Sequence, residues 1–144
     1  MEEYLPVYRV ALVREREGDY GSIRFDTDAA EIAEKYLADA DREILAAMFL
    51  DIKNNVIGIS TISVGCLDFT ICHPRELFKA AILVNAANII LAHNHPSGNP
   101  APSSDDIATT KRFAEAGDIL GIKVVDSLII GYKSHYSLKA AGLM

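Results

Sequence analysis

From residue 93 to 106 the chain reads His93-Asn94-His95-Pro96-Ser97-Gly98-Asn99-Pro100-Ala101-Pro102-Ser103-Ser104-Asp105-Asp106, a stretch rich in side chains that can bind a cation. The apolar run Ile89-Ile90-Leu91-Ala92 in front of it predicts a buried strand. Alternate side chains of a strand share a face, so His93 and His95 point the same way, about 6.6 Å apart along the chain. Two imidazoles so placed at a strand's end can share one cation. Zinc suits them, because it takes histidine nitrogens and a carboxylate and leaves a position for water in catalytic sites. The Pro- and Gly-rich loop brings the chain back, and Asp106, opening the next helix, can supply a third ligand. Each fragment also has an ordinary explanation. A His-x-His pair at a strand end is more often plain polar packing, and Ser103 with Asp106 three residues on is by itself a capping box with Ser103 as N-cap. Spacing alone leaves metal binding and ordinary packing about equally open.

The elements that must position these residues follow from hydrophobic periodicity. Val7 to Val13 reads as an edge or opening strand behind Pro6, and charged Arg14 to Tyr20 as a loop. Ala29, Ile32, Ala33, Tyr36, Leu37 and Ala40 recur at helical spacing, with Asp28 and Glu31 as a start signal. Ile44–Leu50 and Val56–Ile62 flank an Asn-Asn pair and read as a hairpin whose first strand is fully buried. A further strand is expected over Cys66–Ile71. Pro74 then opens a helix whose inward stripe is Leu77, Phe78, Ala81, Ile82 and Val84. After the buried strand 88–93, a helix is expected from Ser104 to Ala116, stopped by Gly117. Lys123–Ile130 and Ser134–Leu138 close the chain as a strand pair around Gly131-Tyr132. This order predicts an α/β fold, a mixed central β-sheet flanked by helices, in one domain spanning residues 1–144. Residues 1–40 would form an N-terminal strand and helix, and residues 41–131 the motif-bearing core.

The pattern His-x-His-x7-Ser-x2-Asp, read from His93 and His95 through Ser103 to Asp106, resembles the JAMM motif of the JAB/MPN metalloprotease family. That motif also has a glutamate just before a buried apolar strand, and Glu43 stands before Ile44-Leu45-Ala46-Ala47-Met48-Phe49-Leu50. His93-Asn94-His95-Pro96-Ser97-Gly98 together with His73-Pro74-Arg75-Glu76 is closer still to the RadC branch. The likeness runs from about Asp41 to Gly131. It implies a JAB/MPN-like fold and a zinc ion held by His93, His95, Asp106 and a water. Glu43 would be the general base and proton shuttle, and Ser103 would help to stabilise an oxyanion. Taken without the resemblance, Glu43 reads as a solvated charge at a strand start. RadC proteins commonly carry an N-terminal helix-hairpin-helix segment of a kind that touches DNA. The roughly forty residues before Glu43 show no such helix pair, so the chain resembles the catalytic domain alone.

Composition bounds the function. The formal net charge is −6 and the pI near 5.1, with no basic cluster beyond Arg14/Arg16 and Lys111/Arg112, so strong binding of duplex DNA by this chain alone is not expected. There is no apolar run of membrane-spanning length and no basic-then-apolar leader, which points to a cytoplasmic location. Cys66 and Cys72, with five residues between them, read as reduced thiols rather than a metal pair. His73 reads as a residue of a helix start, Arg75 and Glu76 equally as cleft residues or a surface ion pair, and His135 as exposed. Asp105 neighbours the proposed ligand, but the motif spacing favours Asp106. The adjacent His-Asn-His string is not the dispersed set of an HNH nuclease, and a zinc deaminase would need His-x-Glu and Pro-Cys-x-x-Cys. The expected activity is zinc-dependent hydrolysis of a peptide or isopeptide amide, with a peptide or protein as substrate. The alternatives are a repair-associated accessory or nuclease protein and a non-catalytic MPN-type scaffold. The oligomeric state is not legible.

Overall fold

The computed structural model describes residues 4–17, 21–65 and 72–144. Its elements are α1 (Asp26–Leu37), β1 (Ile44–Leu50), β2 (Val56–Val64), α2 (Pro74–Leu83), β3 (Asn88–Asn94), α3 (Ser104–Leu120), β4 (Lys123–Gly131) and β5 (Ser134–Ser137). The strands form one sheet in the order β2-β1-β3-β4-β5. Only β3 and β4 run parallel, joined through α3; the other neighbours are antiparallel, so the sheet is mixed as expected.

Strand periodicity sorts the core into two layers. Even-numbered Ala46, Met48, Leu50, Ile90 and Ala92 cluster with Ala29, Ile32, Ala33 and Leu37 of α1. Odd-numbered Leu45, Ala47, Phe49, Ile89 and Leu91 cluster with Leu77, Phe78 and Ala81 of α2 and Phe113 of α3. Covered on both faces, β1 and β3 must be apolar almost throughout, which is why neither shows an alternating pattern in the sequence. The β1–β2 turn is built by Asp51, whose Oδ1 accepts the amides of Lys53 and Asn55, and by Asn54 at a φ of 64°, which asparagine tolerates.

Several expectations are corrected. Residues 7–13 form no strand and lie exposed, Val7 at 97% and Val13 at 89%. Their apolar residues do not alternate, so the segment has no single face to bury. Helix α1 starts at Asp26, behind Phe25, and Asp28 sits in its first turn rather than at its cap; the helix ends at Leu37, short of Ala40. In α2 the inward stripe is Leu77, Phe78 and Ala81, while Ile82 is 53% exposed. At 100° per residue Ile82 lies roughly 90° from the centre of that stripe.

Helix α3 continues past Gly117 to Leu120 and is stopped by Gly121, whose φ of 74° only glycine takes readily. Gly117 serves packing instead: a Cβ there would stand 2.3 Å from the Ile122 carbonyl oxygen and 3.3 Å from Phe78 Cζ. The strand expected over 66–71 lies outside the described residues, as does Cys66. Among the described residues no helix is long and apolar enough to cross a membrane.

Candidate metal centre

The odd-numbered face of β3 runs Ile89, Leu91, His93, and the apolar layer under α3 gives way to imidazole at its end. In the antiparallel ladder Leu45 faces His93, the last pair, and extending that register by two residues puts Glu43 opposite His95. The β1–β3 pairing thus delivers a carboxylate from 50 residues away to the same face as both histidines. Helix α3 supplies the fourth group. Asp106 is 3% exposed and lies in the first turn, directly above the end of β3.

Ligand-type atoms of Glu43, His93, His95 and Asp106 all lie within 4.8 Å of one another. Nε2 of His93 and Nε2 of His95 are 3.2 Å apart. Asp106 Oδ1 is 3.2 Å from the first, and Oδ2 is 3.1 Å from the second. A tetrahedral cation with bonds of about 2.0–2.1 Å sets its ligand atoms roughly 3.3 Å apart. The two imidazoles and Asp106 therefore have the spacing of a first coordination shell. Glu43 stands further back, its Oε1 3.9 Å from His93 Nε2.

Local bonding orients each group. His95 Nδ1 lies 2.9 Å from the Asn99 carbonyl oxygen, an acceptor only, so Nδ1 donates there and Nε2 is the nitrogen turned to the cluster. His93 is 1% exposed, and its Nδ1 has no hydrogen-bond partner among the described residues. Ser103 and Asp106 form the capping box: the Asp106 amide donates to Ser103 Oγ at 3.1 Å, and the Ser103 amide donates to Asp106 Oδ2 at 2.8 Å. The cap and the carboxylate that faces both histidines are thus one residue. Burial would raise the Asp106 pKa, but hydrogen bonds from His93 and from the Ser103 amide outweigh it and hold the carboxyl well below the usual range. Asp106 is anionic at any neutral pH.

The His95–Asn99 turn is fastened to the sheet. His95 N–H donates to the Ile130 carbonyl, Gly98 N–H to that of His95, and Tyr132 N–H to that of Gly98. Gly131 makes this approach possible, because a Cβ there would stand 2.4 Å from the Gly98 carbonyl oxygen and 2.8 Å from Pro100 Cδ.

The structure brings together all of Glu43, His93, His95, Ser103 and Asp106, and leaves the other weighed residues outside. Asp105 is exposed and outside the cluster. His73 precedes α2 at its N-cap without a side-chain capping bond, and Arg75 and Glu76 form a surface ion pair, Glu76 being nearer to Lys79 at 2.7 Å. His135 corrects the expectation of simple exposure: its side chain is 26% exposed, and Nε2 lies 3.1 Å from Asp26 Oδ2, tying β5 to the start of α1. Cys72 is a buried free thiol whose pKa burial pushes up, so it is not poised to react. A groove of about 520 Å³ between residues 12–17 and β2 is lined by none of the four clustered residues. One residue the sequence did not single out is Asn94, whose side chain bonds the backbone of Arg42 and Ile44 on either side of Glu43.

A UPF0758 protein of Desulforamulus reducens is 50% identical over 122 residues, covering 85% of this chain and 54% of that protein. One of Caldanaerobacter subterraneus subsp. tengcongensis is 45% identical over 131 residues, covering 91% and 56%. Another, of Methanococcoides burtonii, is 52% identical over 101 residues, covering 70% and 44%. The chain thus spans about half the length of the curated relatives it matches. Residues 23–143 match the RadC-like JAB domain, a span holding all five residues of the site, and the chain belongs to that family.

Proposed function

We propose that this domain is a zinc-dependent hydrolase that cleaves a peptide or isopeptide amide. The observation that carries the reading is a difference in distance. Three groups, from His93, His95 and Asp106, meet at 3.1–3.2 Å, while the Glu43 carboxylate stands off at 3.9 Å. Two imidazoles and one carboxylate are a donor set that zinc accepts, with a position left for water. Zinc held by these three residues would supply an activated water, with a pKa lowered to about 7.

Glu43, outside the ligand set, accepts the proton from the attacking water and passes it to the departing amine nitrogen as the C–N bond breaks. Its side chain is 22% exposed, so it is reachable from solvent. Ser103 uses its oxygen to accept the Asp106 amide, and its hydroxyl hydrogen remains available to donate to the carbonyl oxygen as negative charge develops there. Asn99, through His95 Nδ1, and the Ser103 amide, through Asp106 Oδ2, keep the two ligands aimed.

Elemental analysis of the purified protein should find close to one zinc per chain, lost in His93→Ala and His95→Ala. A hydrolysis screen over peptides, isopeptides and single-stranded DNA should show turnover of an amide. Glu43→Gln keeps the shape but cannot take a proton; zinc content and melting temperature should hold while turnover falls about 10²–10⁴-fold. A variant that loses its zinc would make Glu43 a ligand and overturn its assignment as base.

A further inference from the structure

Asn94 lies between the two histidines in sequence, yet its side chain is turned away from the cluster they form. It is 8% exposed and on the even-numbered side of β3. Its Oδ1 accepts the Ile44 amide at 2.8 Å, and its Nδ2 donates to the Arg42 carbonyl at 3.0 Å. The two bonded peptide groups bracket a single residue, Glu43. The backbone ladder between β1 and β3 ends at Leu45 and His93. Beyond that point the chain stays bonded to β4, with which it pairs along all of β3, His95 N–H donating to the Ile130 carbonyl. The Asn94 amide takes over where the ladder stops.

We infer that Asn94 is the positioning residue for Glu43, fixing the backbone on both sides of it to the strand that carries His93 and His95. The task needs a donor and an acceptor on separate atoms of one short side chain, which a primary amide supplies. A third bond holds Glu43 from the other strand, its carbonyl accepting the Gly65 amide at 2.7 Å. With its backbone held on three counts, the point from which the Glu43 side chain reaches toward the cluster is fixed relative to β3. Misplacement of a reacting group by about 1 Å can cost 10²-fold in rate, so this clamp matters in proportion to the stand-off it maintains. The inference rests on the reading of Glu43 as the base, and its test separates the two.

In the metal-free protein, hydrogen exchange at the Ile44 amide, read by NMR, should quicken at least tenfold in Asn94→Ala while Leu91 in the core of β3 is unchanged. Zinc content should stay at the wild-type value. With a fluorogenic peptidyl-coumarin amide, kcat should fall about 10–100-fold with KM within about twofold. In a Glu43→Gln background the same substitution should cost almost nothing more. Asn94→Asp keeps the size and the acceptor; it should retain Ile44 protection and lose less kcat, and it replaces the alanine variant if that one does not fold. Unchanged exchange at Ile44 overturns the clamp whatever the activity. If Asn94→Ala costs as much in the Glu43→Gln background as in wild type, Asn94 does not act through Glu43, and the base assignment stands. If Glu43→Gln alone leaves turnover intact, the base assignment fails, and Ile44 exchange alone decides whether Asn94 holds that backbone.

Discussion

Helices α1 and α3 both place an aspartate at the third position of the first turn, and both use it to close the helix start. In α1, Asp28 Oδ2 accepts the amides of Arg24 at 2.9 Å and Phe25 at 3.1 Å. In α3, Asp106 Oδ2 accepts the amide of Ser103 at 2.8 Å. Locally the two do the same work, and the pKa of each lies below the ordinary value partly because backbone amides point at it. What differs is the ground beneath them. Asp28 stands at the surface, at the start of a helix whose sheet-facing layer holds apolar side chains, among them Ala46, Met48, Leu50 and Ile90. Asp106 is buried at the end of the one strand face that terminates in imidazoles, and its two oxygens meet a different histidine each. A capping carboxylate becomes a candidate ligand through what the neighbouring strand presents, with no change in the helix.

The sharpest break of that comparison is a matched pair of substitutions. Asparagine keeps a capping acceptor and loses the charge. Asp106→Asn should weaken zinc binding by more than about 100-fold, beyond the 10–100-fold usual for losing an outer partner, while Asp28→Asn leaves zinc affinity unchanged. Competition against a fluorescent chelator measures both. Equal affinities in the two variants would mean that Asp106 is a cap and nothing more.

A second pair divides the roles of Ser103. Ser103→Ala removes the cap and the hydroxyl together, for about 1 kcal/mol of stability and about 10²-fold in turnover, the cost of one lost oxyanion donor. Ser103→Gly costs the cap only a few tenths of a kcal/mol, yet should lose the same turnover. Full activity in the glycine variant would confine Ser103 to capping. Smaller still is Gly131→Ala. Its Cβ would stand 2.4 Å from the Gly98 carbonyl and 2.9 Å from Ser134 Oγ, so the loop that orients His95 through Asn99 must shift. Overpacking of this kind costs about 1–3 kcal/mol. Calorimetry and the same chelator assay should show that loss with zinc affinity down about tenfold.

Much of this arrangement is legible in the sequence. Period-two spacing puts His93 and His95 on one face, and the Ser103–Asp106 interval carries two readings, cap and ligand; the structure forms the cap and turns the same carboxylate to both histidines. Spacing could not find Glu43. It lies 50 residues from His93, and only the antiparallel register of β1 on β3 brings it near; the resemblance to a known motif supplied what the chain's own pattern did not. Asn94 was hidden for another reason. Its partners are backbone groups of Arg42 and Ile44, which carry no side-chain signature. The two glycines near the end of α3 show the same limit. Either could stop a helix, and the contact of Gly117 with Phe78 and Ile122, a tertiary fact, is what leaves the stop to Gly121.

The smallest effect belongs to the surface member of the pair and concerns acid rather than metal. The Asp28 carboxyl sits below its ordinary value of 3.8 because the backbone amides of Arg24 and Phe25 donate to its ionised form. A group whose pKa is depressed by folding stabilises the fold above its unfolded value, and that contribution is lost as the pH falls through the folded value. Asp28→Ala should therefore lower the melting temperature slightly at neutral pH, and the gap from wild type should close only as the pH drops below 3.8. Zinc content at neutral pH should match wild type, since nothing on the α1 face reaches the cluster. A gap that persists unchanged in strong acid would show that Asp28 acts through helix propensity or packing. Its likeness to Asp106 would then be one of sequence position alone.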